Sequence, residues 1–352
     1  MVSVVLMAGY KPVSDEHKKM LADTYNEHFF FDGYKPLKEF RIRDSSESFV
    51  YKPLIQFTME KLERIDAIND IVIVGDKKKL ESKLGDFMDS SRKKYKVVEQ
   101  DGCIDDKVLD EFGAVRENFD ECSLAANGLK AYVNTEAYKR KDYALFVASD
   151  SPGTSAKGIF EFIDLARLYM PECSLIFPLV SMNNIPAWRH AFHRKYLFFV
   201  NDSAHQYKDS FKTFLTNRDG FRVSSMLYAD PFRVDIDKIN LCYSLRKMLS
   251  HDVRERIKNV LEKFDINVLW RKYFGSKDLS IRDCEEIGGK IMCKNNSNLA
   301  IIPFRDIASS FDFDGTVEDQ NMIDELLNGK DKLTMDTSRC PDILWTPGIK
   351  LA

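Results

Sequence analysis

The sequence lacks the features that would place it in a membrane or in a nucleic-acid-binding class. No apolar run reaches the roughly 18 residues that a membrane-spanning helix needs, and the apolar start has no basic segment of the kind found in signal peptides. The net charge is only −3, so the overall charge does not favour nucleic acid or an anionic membrane as a partner. We therefore expect neither partner.

Paired cysteines and a Walker-type phosphate loop are also missing. The seven cysteines are scattered, odd in number and never spaced as CxxC. This pattern argues against a disulfide framework and a zinc ribbon, and it predicts reduced thiols in a cytoplasmic protein. The signature GxxxxGK[ST] does not occur, which excludes a P-loop as far as a motif can.

What the chain has is alternation of strand and helix patterns. Apolar, β-branched runs at residues 2–8, 71–75, 95–99, 143–150 and 174–180 predict strands, and amphipathic segments between them predict helices. This spacing predicts an α/β fold with a mostly parallel, Rossmann-like sheet and helices on both faces. One predicted helix begins at Pro53, and two more span residues 76–91 and 119–134. A fourth follows the turn after Asp150 and ends at residue 169.

After residue 181 the rhythm changes, and we divide the chain accordingly. Residues 1–182 form the predicted α/β core, 183–298 an insertion, 299–330 a return to the core, and 331–352 a C-terminal tail. Within the insertion, residues 209–230 predict a β-hairpin that turns at 217–220, and residues 235–274 and 281–288 predict helices. The block at 235–274 is either a homodimer surface or a cover for the sheet, and cover is the commoner role.

The central stretch, at residues 143–164, is an apolar run followed by Asp150, Pro152, a small-residue turn and a helix. The pattern predicts a buried parallel strand that delivers one carboxylate to the carboxyl edge of the sheet, where open α/β folds bind ligands. Such an acid suits a divalent metal bound to nucleotide phosphates. The alternative is that Asp150 caps the next helix, although Ser151 or Thr154 could equally supply that cap.

Three further patterns could carry chemistry. Gly9 with Lys11 and Lys35 suits a phosphate, because a glycine turn lets backbone N–H groups approach it. The segment DFDGTV at 312–317 matches the opening motif of haloacid-dehalogenase-type phosphatases, but too little chain follows it to build that fold. His190 and His193 could share a metal, but a basic surface is the favoured interpretation.

Taken in order, four motifs resemble those of nucleotidyltransferases of the glycosyltransferase-A-like fold, in particular molybdenum-cofactor guanylyltransferases and sugar-phosphate cytidylyltransferases. They are LMAGYKP at 6–12 with KPL at 35–37 and 52–54, SLAANGL at 123–129, DSPGT at 150–154, and DFDGTVED at 312–319. Two departures are visible. Tyr10 replaces the family's second glycine, with Lys11 in place of the usual arginine, and the last motif has one extra residue.

The resemblance implies transfer of NMP from an NTP to a phosphorylated acceptor, such as a sugar phosphate, with Mg²⁺ as cofactor and release of pyrophosphate. It implies catalytic roles for Lys35 at the α-phosphate, Lys11 at the β- and γ-phosphates and Lys52 at the acceptor phosphate. The implied nucleotide contacts are Ala8, Gly9, Ser123, Asn127 and Gly128. The implied metal ligands are Asp150 with Asp314 or Asp312.

Two other classes of function stay open. The chain could be a catalytically degenerate protein that binds a nucleotide or sugar phosphate, because Tyr10 interrupts the glycine loop. It could also be a nucleotide-sugar-dependent glycosyltransferase that uses a D-x-D metal motif. That reading ranks last because Asp312 and Asp314 lie late in the chain, whereas the motif normally lies near its middle.

Overall fold

The computed structural model describes residues 1–9, 33–43, 48–121, 123–181, 197–200, 218–240, 281–295 and 297–304, with single positions between 306 and 327. Within them the chain forms a nine-stranded sheet and a separate two-stranded hairpin. No helix in these ranges is long and apolar enough to cross a membrane.

Eleven strands and seven α-helices are described. The strands are β1 (Val2–Met7), β2 (Glu39–Arg43), β3 (Phe49–Pro53), β4 (Ile68–Gly75), β5 (Lys94–Glu99), β6 (Ala144–Ala148), β7 (Cys173–Ser181), β8 (Leu197–Val200), β9 (Arg218–Val223), β10 (Met226–Ala229) and β11 (Asn298–Phe304). The helices are α1 (Leu54–Glu63), α2 (Lys77–Asp89), α3 (Asp106–Glu111), α4 (Leu124–Tyr132), α5 (Glu136–Arg140), α6 (Ala156–Arg167) and α7 (Ile281–Met292).

The central sheet is mostly parallel. Its strands follow the order β5-β4-β1-β6-β10-β7, with β11 pairing β7 on the other side. β1, β4, β5, β6, β7 and β11 run in one direction, whereas β10 is antiparallel to both β6 and β7. β9 is antiparallel to β7 and pairs β8 in turn. The predicted α/β fold class is confirmed by this topology.

Apolar residues cover both faces of the sheet. In β1, Val4 and Leu6 belong to a cluster with residues of α1 and α6, whereas Val5 belongs to a second cluster with residues of α4. Successive side chains of a strand point to opposite faces, so helices must cover both faces of β1. This is why the run VSVVLM is apolar at nearly every position rather than alternating.

The strand order reverses between β1 and β6. After β1 the chain adds β4 and then β5 on one side, and β6 returns to pair with the other side of β1. In open α/β sheets, the crevice outside the carboxyl ends of the strands at such a reversal is where ligands bind. Gly9 follows β1 and Asp150 follows β6, so the fold positions both residues at this crevice.

Two helix starts differ from the prediction. The helix predicted at 119–134 begins at Leu124, because the Ser123 side chain caps it by accepting from Ala126 N at 3.0 Å. Helix α6 is capped by Ser155, whose Oγ accepts from Gly158 N at 2.9 Å. The caps proposed at Ser151 and Thr154 are therefore wrong, and so is the alternative in which Asp150 is the cap.

The hairpin predicted at 209–230 is also wrong. Residues 218–220 of the expected turn lie within β9, where Gly220 pairs Phe198 of β8. Sheet pairing therefore overrides the local turn preference of these residues. The other half of the predicted hairpin, 209–217, lies outside the described residues, as do His190, His193 and most of the predicted helix at 235–274.

The sequence reading missed one real hairpin, formed by β2 and β3. It also assigned residues 183–298 to an insertion, yet this segment supplies β10 to the middle of the central sheet. The division into core, insertion, return segment and tail otherwise stays a prediction.

Candidate functional site

Gly9 and Asn127 meet at the carboxyl end of β1. A Cβ atom at position 9 would lie 3.2 Å from Asn127 Nδ2 and 3.3 Å from Gln100 Oε1, so a side chain there would press on both amides. Asn127 Oδ1 is buried and accepts no hydrogen bond from the described part of the chain. A buried acceptor of this kind normally has a partner. The pair therefore forms a narrow cradle at this edge, beside a buried amide oxygen that has no partner in the described ranges.

Ser123 and Gly128 explain why Asn127 lies where it does. Ser123 starts α4 by capping it, and Gly128 lets the helix approach the sheet, since a Cβ atom there would lie 3.3 Å from Phe146 Cε1. Both residues thus have a structural part in presenting Asn127. Their predicted contact with a nucleobase stays a prediction.

Tyr34 fastens the segment that carries Lys35 to the sheet. Its hydroxyl donates to Ala8 O at 2.7 Å and accepts from Asp76 N at 3.0 Å, so it ties together the ends of β1 and β4. Burial raises the pKa of Tyr34 well above its usual range, so the hydroxyl stays protonated. Gly75 leaves the room for it, because a Cβ atom there would lie 2.2 Å from the hydroxyl oxygen.

Lys35 opens the 3₁₀ turn Lys35–Leu37 directly after Tyr34, and this attachment holds the turn beside the carboxyl edge. Ala8 is fully buried, and its N–H donates to Val74 O at 2.8 Å. A backbone donor for a phosphate at this loop must therefore come from beyond Ala8, at Gly9 or later. The phosphate roles of Lys35, Ala8 and Gly9 stay predictions.

Lys52 lies in β3 and is paired within the protein. Its ammonium group is 2.7 Å from Glu60 Oε1, which also accepts from Gln56 at 3.0 Å. A role at an acceptor phosphate would require Lys52 to exchange or share this partner, and it stays a prediction. Lys11, Asp312 and Asp314 lie outside the described residues.

Asp150 lies two residues beyond β6 and is partly buried. Its backbone oxygen accepts from Phe313 N at 2.8 Å, so the turn after β6 meets the late acidic motif. The Phe313 ring is fully buried and packs edge-on against Phe40, with ring centroids 5.4 Å apart. The two predicted acidic motifs therefore meet at the level of the backbone.

The turn after Asp150 has two charged partners that sequence reasoning missed. Lys61 on α1 donates to Pro152 O, and Asp306 accepts from Ser155 N at 2.7 Å and from Ser155 Oγ at 2.8 Å. Burial lowers the pKa of Lys61 to about 8, and the negative charge of Asp306 opposes this shift. These contacts span 91 and 151 residues of sequence, so no local pattern reveals them.

A buried lysine holds the loop after β5. Lys130 is 4% exposed and donates to Gln100 O at 2.6 Å and to Glu121 O at 2.8 Å. It therefore anchors Gln100 near Gly9. Sequence reasoning missed this residue as well, because a lysine in an amphipathic helix normally predicts a solvent-facing position.

The donor chemistry at this edge fits a hard cation such as Mg²⁺. Among the described residues, no three His, Cys, Asp or Glu side chains form a metal-binding group. A Mg²⁺ ion on nucleotide phosphates needs only one or two protein carboxylates, and Asp150 is a carboxylate at this edge. Ser151 Oγ is a further buried oxygen that has no hydrogen-bond partner in the described ranges. Mg²⁺ binding itself stays a prediction.

Comparisons with known proteins give structural similarity only. No protein-family model matches the chain, and no curated protein matches its sequence. A structure described as a hypothetical transferase from Thermus thermophilus is 14% identical, with a TM-score of 0.45 over 91% of this chain and 99% of that chain. A CMP:2-keto-3-deoxy-manno-octonic acid synthetase in complex with CTP is 12% identical, with a TM-score of 0.47 over 93% and 97%.

A 4-diphosphocytidyl-2C-methyl-D-erythritol synthase from Anaerococcus prevotii is 11% identical, with a TM-score of 0.37 over 93% of this chain and 95% of that one. These similarities are to nucleotidyltransferase-type folds, the type that the sequence motifs resemble. At such identities and scores they carry nothing about substrate. The function must be argued from the residues of this chain.

Proposed function

We propose that the chain is a nucleotidyltransferase that binds an NTP in the crevice between β1 and β6. The observation that supports this most is the arrangement at the strand reversal. Gly9 opens a cradle against Asn127 at the end of β1, and Asp150 follows the neighbouring strand β6. A triphosphate with its cation needs close backbone approach and a carboxylate at adjacent strand ends.

In the proposed reaction, a phosphate oxygen of the acceptor attacks the α-phosphorus of the NTP. The bond to the β-phosphate breaks, and pyrophosphate leaves. Gly9 admits the phosphates to the backbone, Asn127 reads the base, and Lys35 stabilises charge at the α-phosphate. Asp150, with Asp312 or Asp314, would hold Mg²⁺, which supplies charge neutralisation when bound. The family resemblance implies that Lys11 would lie at the outer phosphates and Lys52 at the acceptor phosphate.

Thermal stability with ATP, CTP, GTP and UTP, each with and without Mg²⁺, tests the nucleotide site. A ligand at a hundred times its Kd adds about 2.7 kcal/mol, which raises the melting midpoint by a few degrees. We expect one base to stabilise the wild type in a Mg²⁺-dependent way and to lose this effect in Asp150→Ala. The matched control is Asp142→Ala, because Asp142 flanks β6 at its other end and is 44% exposed.

Stabilisation that persists in Asp150→Ala, or that vanishes equally in Asp142→Ala, would contradict the assignment of Asp150. Catalysis is then tested by pyrophosphate release with phosphorylated acceptors. Nucleotide binding without release from any acceptor would favour the degenerate binding protein, and hydrolysis of a nucleotide sugar would favour a glycosyltransferase. The homodimer and the cytoplasmic location stay predictions.

A further inference from the structure

The turn that follows Asp150 is held between two opposite charges. Lys61 donates to the carbonyl of Pro152, and the Asp306 carboxylate accepts from the Ser155 amide at 2.7 Å. The cation comes from α1 and the anion follows β11, so two distant elements fix the two ends of one short turn. Asp150 is the residue directly before it.

Asp306 is buried, and Lys61 is partly buried. Asp306 is 5% exposed, and desolvation is the main reason that the pKa of Lys61 is lowered. Burying an ion costs free energy that is recovered only with good partners. Capping of α6 alone would not require a buried carboxylate and a partly buried ammonium group, because Ser155 already caps the helix through Gly158 N. The pair is therefore more than a helix cap.

Gly158 shows how closely the anion approaches the helix. A Cβ atom at this position would lie 2.2 Å from Asp306 Oδ2, so only glycine leaves room for the carboxylate at the first turn of α6. The carboxylate also lies where the partial positive charge of the helix N-terminus favours an anion. Both observations place Asp306 at the end of the turn.

We propose that Lys61 and Asp306 form a charge clamp that positions Asp150 for the nucleotide and its cation. The inference rests on the proposed function and deepens it. Neither side chain is assigned to the reacting atoms, so both are positioning residues. The clamp fixes the turn from the side of α1 and β11, while Phe313 N holds it at Asp150 O.

Lys93 provides a matched control at the opposite edge of the sheet. Its ammonium group donates to Ile65 O at 2.8 Å and to Ile68 O at 2.7 Å, at the start of β4. Lys61 and Lys93 thus make the same kind of contact, in which an ammonium group donates hydrogen bonds to backbone carbonyls of a loop. Only Lys61 does so beside Asp150.

Hydrogen exchange measured by mass spectrometry tests the clamp without relying on activity. In Lys61→Met we expect the peptide covering residues 150–158 to exchange about tenfold faster or more, because a buried contact is lost. Lys93→Met should leave that peptide unchanged. Asp306→Asn keeps an acceptor and should give a smaller acceleration, which guards against a Lys61 variant that folds poorly.

The functional readout is the Mg²⁺ concentration at which pyrophosphate release reaches half of its maximal rate. It is measured with whichever of ATP, CTP, GTP or UTP stabilises the wild type most. We expect it to rise about tenfold in Lys61→Met, to recover in part in Lys61→Arg, and to stay at the wild-type value in Lys93→Met. A purely structural role would lower the melting midpoint without moving this concentration.

Equal exchange in wild type and Lys61→Met would overturn the clamp. Faster exchange with an unchanged Mg²⁺ requirement would overturn the positioning role. If no NTP stabilises the wild type, the proposed function fails, and the exchange measurement alone then decides whether the turn is clamped. The two failures are therefore distinguishable.

Discussion

Two polar regions at opposite edges of the central sheet are built differently. At the amino edge, Ser3 Oγ donates to Asp70 Oδ1 at 2.7 Å, and Asp70 Oδ2 accepts from Glu136 N at 3.0 Å. Ser3 Oγ also accepts from Ala137 N at 3.0 Å. The network is closed within the protein, and it fastens α5 to β1 and β4.

At the carboxyl edge the buried polar groups are only partly paired. Within the described residues, Asn127 Oδ1 and Ser151 Oγ are buried and have no hydrogen-bond partner. Native proteins satisfy nearly all such groups. The amino edge is thus held by a fully paired network, whereas the carboxyl edge has two buried oxygens without a partner in the described ranges, which is the arrangement that the proposed ligand site requires.

Replacing one carboxylate at each edge by an amide gives the largest expected difference between two variants. Asp150→Asn should lower turnover about 10²-fold or more, because it removes a ligand for the cation that neutralises charge in the transition state. Asp70→Asn should instead lower the free energy of unfolding by about 1–3 kcal/mol, since it disturbs a buried network. Steady-state kinetics and urea unfolding on both variants measure the two effects.

Turnover in Asp150→Asn that matches the wild type would contradict this contrast between the two edges, as would a large loss of turnover per folded molecule in Asp70→Asn. Either result would mean that turnover does not depend on the crevice between β1 and β6 in the proposed way. The nucleotide for these assays is the one that gives the largest stabilisation of the wild type.

Much of the sheet was predictable, because strands buried on both faces leave continuous apolar runs. The predictions for β1, β4, β5, β6 and β7 fall within about three residues of the observed bounds. The hairpin of β2 and β3 left a weaker signal that was missed. In β2, Phe40 is buried between exposed Glu39 and Arg41, which is the alternation of a half-buried strand, but the window is short and rich in charge.

The site was predictable only where local sequence determines geometry. Glycine at a strand end and an acid after an apolar run indicated Gly9 and Asp150, and the helix motif indicated Asn127. The supporting residues Tyr34, Lys61 and Asp306 act over long sequence separations, through backbone atoms whose position depends on the finished fold. Their residue types alone carry no such information.

A smaller contrast is expected from two buried tyrosine hydroxyls. Tyr34 OH contacts Ala8 O and Asp76 N at the carboxyl edge, whereas Tyr132 OH donates to Asp142 O at 2.6 Å near the start of β6. Both Phe variants should lose about 1–3 kcal/mol of stability, because a buried carbonyl loses its donor. Only Tyr34→Phe should also lower the rate of pyrophosphate release at saturating NTP, by about tenfold, because Lys35 is then less well positioned.

Thermal unfolding and the rate at saturating NTP, measured on the same preparations, separate the two effects. If Tyr132→Phe lowered the rate as much as Tyr34→Phe, the tie between Tyr34 and the site would have no special role. If neither variant lost stability, the two hydroxyls would contribute nothing measurable at either edge.

The smallest expected effect is a pH dependence of stability that comes from Lys61. Its pKa is lowered by burial from 10.5 to about 8 in the folded protein. Between these values the unfolded chain holds a proton that the folded protein has released, so the free energy of unfolding should rise with pH. Below about pH 8 both states hold the proton, and this contribution is constant.

Urea unfolding of wild type and Lys61→Met at pH 7, 8, 9 and 10 isolates this contribution, because the other titrating groups are common to both proteins. The stability of the wild type relative to the variant should be constant up to about pH 8 and then increase. A constant difference across the whole range would mean that Lys61 is solvated in the folded state. The turn after Asp150 would then be held by a solvated cation, and its contrast with the closed network of Ser3 and Asp70 would be weaker than the structure indicates.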